Sequence, residues 1–111
     1  MSLPEPIPLE QARALAAAVS AVPGVDGLAA GAHGQVALLY PGERVPGLRL
    51  ARGRDDALGL EVHVVLDLQA LGLGADLHAF SRRLRALAAA HTNLPVTLVL
   101  ADAVTATRST P

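Results

Sequence analysis

Leu58-Gly59-Leu60-Glu61-Val62-His63-Val64-Val65-Leu66-Asp67-Leu68 decides how the rest of the chain is read. Leu60, Val62, Val64, Leu66 and Leu68 fall on one side of a two-residue period, and Glu61, His63, Val65 and Asp67 fall on the other. A segment with one wholly apolar face and one half-polar face is a strand that buries one side against a second layer. The fold therefore has to supply that layer.

C-terminal to this strand, Gly72 to Ala75 make a turn. Leu77, Phe80, Leu84, Leu87 and Ala88 then recur at helical spacing, with Asp76 placed to cap the helix and Arg82, Arg83 and Arg85 on its outer side. Thr92 to Pro95 close the helix. Val96, Leu98 and Leu100 alternate with Thr97, Val99 and Ala101 in a last strand. A strand, helix and strand in succession form a right-handed crossover, which sets the last strand parallel to the long one.

On the N-terminal side, Gly53 to Asp56 form a charged turn, preceded by a short strand around Leu48 and Leu50. Glu43 to Pro46 read as a turn, and Val36, Leu38 and Tyr40 as a strand ended by Pro41-Gly42. Val25 to Ala32 are short and Gly-flanked. Leu9, Ala12, Ala16, Val19 and Val22 mark a first amphipathic helix, with Pro8 suited to its first position and Pro23-Gly24 as its stop. The expected fold is α/β (α+β), a two-layer sandwich in the order α-β-β-β-α-β. Two helices pack on one face of a small mixed sheet, in a single domain over residues 9–104 between flexible tails at 1–8 and 105–111. Leu15, Val19, Val62, Val64, Leu66, Phe80, Leu84, Leu87, Leu98 and Leu100 are its expected core.

Composition narrows the function. The 111 residues fall in the size range of one domain, and with Tyr40 and Phe80 as the whole aromatic content the core is aliphatic. All nine basic residues are Arg, a bias of the kind produced by a GC-rich genome. A net charge of −1 supplies no long-range field to recruit nucleic acid or an anionic membrane. The absence of cysteine removes disulfides, thiolate metal sites and thiol nucleophiles. The first eight residues carry three prolines and an acid where a signal peptide needs a basic region and an apolar run, and no stretch is long enough to span a bilayer, so a cytoplasmic chain is expected.

No catalytic, cofactor-binding or metal site emerges. Glu61, His63 and Asp67 share a strand face, but neighbours there are about 6.6 Å apart, long for shared coordination. His33, His78 and His91 are scattered. Gly31-Ala32-His33-Gly34 matches a backbone-clamping GXXG loop only superficially, because here it leads into a strand instead of joining two helices. Ser20 and Ser81 lie on helices, without the sharp turn that exposes a nucleophile. The candidate contacts for an anion or an acidic partner are Arg44, Arg49, Arg52 and Arg54 around the central hairpin and Arg82 and Arg85 on the second helix. Asp55 and Asp56 beside the first group make a self-compensated, solvated hairpin the simpler reading.

Val22-Pro23-Gly24-Val25, Gly31-Ala32-His33-Gly34-Gln35-Val36-Ala37 and Tyr40-Pro41-Gly42-Glu43-Arg44-Val45-Pro46-Gly47-Leu48 resemble, in order and punctuation, the alkaline shock protein twenty-three family. These are envelope-stress proteins of Gram-positive bacteria, and the resemblance is to an actinobacterial branch. It continues through Leu60 to Val65 and Pro95 to Val104. The chain departs from the family's pattern at Leu68 to Gly72, where an aromatic-Gly pair is usual, and at Asn93, where Gly is usual. The resemblance implies a non-enzymatic scaffold that forms homo-oligomers and is held at the inner face of the membrane by a separate membrane-anchored protein partner, with no nucleic acid and no membrane insertion of its own. It transfers no site residue. The alternative from another class is a small-ligand or anion-binding module built on the Arg-rich hairpin. An Arg-lined concave pocket would favour that module, and an exposed apolar face or open sheet edge would favour the scaffold.

Overall fold

The computed structural model describes residues 6–72 and 74–104. Helix α1 (Leu9–Ser20) is followed by strands β1 (Val25–Leu28), β2 (Ala37–Tyr40), β3 (Glu43–Pro46), β4 (Leu48–Arg52) and β5 (Leu58–Asp67). The short helix α2 (Leu68–Leu71), helix α3 (Leu77–Ala89) and strand β6 (Val96–Val104) complete the order. The fold is a compact α+β arrangement with a mixed sheet, as the periodicities require.

β5 is the spine. β6 runs parallel to it along one side, from Leu60↔Val96 to Asp67↔Val104. Two antiparallel strands share its other side end to end: β4 pairs from Leu48↔Val62 to Arg52↔Leu58, and β1 pairs from Val25↔Leu66 to Leu28↔Val64. They meet at His63, whose N–H donates to Gly47 O at 2.9 Å and whose C=O accepts from Ala29 N at 2.9 Å. Gly47 carries the positive φ (+90°) that the chain needs where β3 passes into β4.

On β5 the expected alternation is present. Leu60, Val62, Val64 and Leu66 are buried, while Glu61, His63, Val65 and Asp67 are half-buried. The buried row joins Ala12, Leu15 and Val19 of α1 and Phe80, Leu84 and Ala88 of α3 in one core, and α1 packs against α3 above it. At about 25 cal/mol per Å² of apolar surface removed from water, this shared aliphatic core is the main stabilising contribution.

Asp67 ends β5 chemically. Its carboxylate accepts from the N–H groups of Gln69 and Ala70, both at 3.1 Å, capping α2 and turning the chain before Leu68 can extend the strand. Asp76 caps α3 as expected, accepting from Ala79 N at 3.0 Å. α1 stops at Ser20, and Pro8 sits one residue before its first turn.

Several expectations change. Glu43 to Pro46, read as a turn, is strand β3, paired with β2 from Ala37↔Pro46 to Tyr40↔Glu43 in a separate two-stranded ribbon. The connection between them is Pro41-Gly42, with Gly42 at φ +72°, a type II pattern tight enough to let the charged residues beyond it pair. Val25 to Leu28 is also a strand, held by β5 although its own sequence, VDGL, carries no strand period. The assigned N-terminal tail reaches too far, since Ile7 is 2% exposed and its carbonyl accepts from the Tyr40 hydroxyl at 2.8 Å. Residues 105–111 and 1–5 lie outside the described residues. Leu87 and Leu98 are half-buried, and Leu100 is 46% exposed because β6 forms the rim of the sheet.

Candidate interaction site

The structure separates the six candidate arginines and gives most of the hairpin set a partner within the chain. Arg44, on β3, donates to the carbonyl of Gly34. Arg49, on β4, lies opposite Glu61 in the ladder, with Nε 3.8 Å from Oε1. Arg52 ends β4 and donates to Asp56 O at 2.8 Å, with its Nε 3.9 Å from the Asp56 carboxylate. Arg54 is exposed in the following turn. Arg82 and Arg85 lie on the exposed side of α3, and their neighbour Arg83 stands 5.6 Å over the Phe80 ring. A further exposed pair, Arg13 with Glu43 at 2.5 Å, links α1 to the ribbon.

These contacts are exposed ion pairs and backbone bonds, whose net worth in water is small. What they do is set a carboxylate beside Arg49 and Arg52 and tie Arg44 to a backbone carbonyl, so the hairpin arginines do not converge on a common point. The cleft beside the β4–β5 turn illustrates this: Arg52 lines it, but Asp55 and Glu61 line it too, so it offers an anion no excess of positive charge.

The outer face of β5 holds a tighter cluster than spacing alone implied. His63 Nε2 lies 3.0 Å from Glu61 Oε1, so long side chains bridge the step that separates their Cα atoms. The His63 side chain is 14% exposed and that of Glu61 27%. Together with Arg49 this forms a line of alternating character across β4 and β5. Among the described residues no group of three or more His, Cys, Asp or Glu could hold a metal ion, and Asp67 is occupied capping α2.

Two of the apolar features among the described residues bear on docking. An open cleft of about 500 Å³ beside α2 is lined by Leu68, Gln69, Leu71, Ala75 and Leu77. The second is the outer edge of β6, which no strand among the described residues pairs. Val96 to Ala101 carry no charge and no proline, Thr97 and Leu100 are exposed, and the first charge along the strand is Asp102. Natural edge strands usually carry protection such as charge, proline, short length or a bulge. β4 follows that habit, with five residues including Arg49 and Arg52. β6 has nine residues and a ladder irregularity only near Ala101, leaving Val96 to Leu100 regular.

The sequence points to the arginines, and to an open sheet edge only in general terms: which strand is open cannot be read from the period of a strand, which is the same in the middle of a sheet and at its rim.

No helix among the described residues is long and apolar enough to cross a membrane. Compared with protein-family models, with curated proteins and with solved structures, the chain finds no match.

Proposed function

We propose that this chain is a non-enzymatic interaction protein that self-associates and docks on a membrane-anchored partner, in the manner of an envelope-stress scaffold. The observation that carries the reading is the uncharged outer edge of β6, which no strand among the described residues pairs, five regular residues of β-branched and aliphatic character at the rim of the sheet. Such an edge binds by strand addition, with main-chain hydrogen bonds giving affinity and alternate side chains giving selectivity. The resemblance of the Val22 to Val25 and Tyr40 to Leu48 segments to the alkaline shock protein twenty-three family supports the envelope setting and the anchored partner. The partners of Arg44, Arg49 and Arg52 within the chain weigh against an anion module on the hairpin.

Light scattering over a concentration series tests the first half, with species larger than a monomer expected. Sedimentation with liposomes in the absence of any protein partner tests the second, with the chain expected in the supernatant. A chain that stays monomeric at high concentration and pellets with bare liposomes overturns the proposal and points to direct lipid contact through the arginines.

A further inference from the structure

The direction of the backbone groups along β6 specifies how two copies would join. Leu60 N–H donates to Pro95 O at 2.8 Å, so Pro95 faces β5. In a parallel ladder the N–H and C=O of one residue point the same way and successive residues alternate. Thr97 and Val99 therefore also spend their backbone groups on β5, and Val96, Leu98 and Leu100 aim theirs outward. His63 confirms the alternation from β5, since its backbone groups bond Gly47 and Ala29 on the opposite side.

We infer that two copies of this chain pair antiparallel through β6, with the two-fold axis at Leu98. The inference rests on the self-association proposed above and names its interface. About that axis Leu98 stands opposite Leu98 of the second copy, and Val96 opposite Leu100. All of these are outward-facing residues that can exchange both main-chain hydrogen bonds. Thr97 falls opposite Val99 as a closer, non-hydrogen-bonded pair. The two four-stranded sheets become one continuous sheet.

Charge selects this edge and this partner. A two-fold axis places each residue's like near itself, so a charged edge repels its own copy. On β4 a two-fold would gather four arginines, Arg49 and Arg52 of each copy, along one five-residue edge, whereas Val96 to Leu100 contain no charge. The pairing also accounts for Leu100: its 46% exposure on the helix side is what Val96 of the second copy would cover. Opposed β-branched and aliphatic residues are favourable cross-strand pairs.

The cysteine-free chain allows a direct test. An equimolar mixture of Thr97→Cys and Val99→Cys chains, oxidised under mild conditions, should give a mixed disulfide dimer well above the yield from either variant alone. The non-hydrogen-bonded pair brings Cα atoms to about 4.5 Å, within disulfide range, while each residue and its own copy are diagonal neighbours about 7–8 Å apart. Leu100→Lys should weaken association on the order of tenfold or more, because it puts a charge into a closed edge. Leu39→Lys, on the ribbon at 77% exposure, should leave association unchanged. Urea unfolding of the dilute variants should match the parent chain, showing that each still folds. Association that persists in Leu100→Lys with no mixed disulfide overturns the β6 interface while leaving self-association standing. Absence of association in the parent chain overturns both.

Discussion

A Cβ added to Gly47 would run into the Cβ of Leu28, and its contact with Leu28 Cγ would be only 3.2 Å. Leu28 ends β1 and Gly47 is the turn residue just before β4, and these two strands share one side of β5 and abut at His63. Leu28 occupies the space that any side chain at position 47 would need, and Gly47 holds a φ of +90° that L-residues rarely adopt.

Gly47→Ala should therefore lose stability by backbone strain and by collision together, on the order of 2–4 kcal/mol. Gly42→Ala is the control: its φ is +72°, but nothing lies within 4 Å of the added Cβ, so the loss should stay near 1 kcal/mol. Urea unfolding of both variants gives the comparison, and equal losses would mean that Leu28 yields without cost.

Leu84 is 1% exposed beneath α3, and Leu100 is 46% exposed on β6. Leu84→Ala should cost about 2–5 kcal/mol. Leu100→Ala, measured at a concentration where the chain is monomeric, should cost under about 0.5 kcal/mol. A loss below that value at Leu84 would remove it from the core.

Tyr40→Phe deletes the hydroxyl that donates to Ile7 O at 2.8 Å. The expected loss is about 0.5–1.5 kcal/mol. Amide exchange should also quicken at Ala12, whose N–H donates to Pro8 O at 2.9 Å, because the Tyr40 bond holds the entry to α1 against the ribbon. An unchanged exchange pattern would show that burial of Ile7 alone positions the segment.

Asp76→Ala removes the carboxylate that accepts from Ala79 N, and should cost about 1 kcal/mol. Asp76→Asn should recover most of the loss, since the amide oxygen accepts the same bond. Thermal unfolding of the two variants separates the cap from a charge effect: failure of Asn to rescue would assign the contribution to the negative charge near the helix N-terminus.

How much of this was legible follows from the range of each interaction. The alternation of Leu60 to Leu66, the helical spacing of Phe80 and Leu84, and the cap at Asp76 are local signals, written within a few residues and read correctly. Asp67 is local too: its place on the outer face of β5 follows from the period, while the capping of α2 by its carboxylate depends on the turn that follows. β1 was missed because VDGL has almost no signal of its own and becomes a strand only when β5 offers a partner. β3 was missed because a charged, Pro-ended run looks like a turn until its ladder with β2 is in place.

Among the candidate residues, the sequence set Arg52 beside Asp56, its partner four positions on, but could not name the contacts of Arg44 and Arg49. Gly34 and Glu61 are 10 and 12 positions away along the chain and meet their arginines only across folded elements. Residue type and period by themselves determined that this chain builds a mixed α+β sandwich with an aliphatic core, because those properties depend on which face of each segment water rejects. Only the tertiary structure decided that β6 lies at the rim of the described sheet, with the backbone groups of Val96, Leu98 and Leu100 directed to its outer edge. Strand order arises from pairing between distant segments, and an edge strand and a central strand obey the same period.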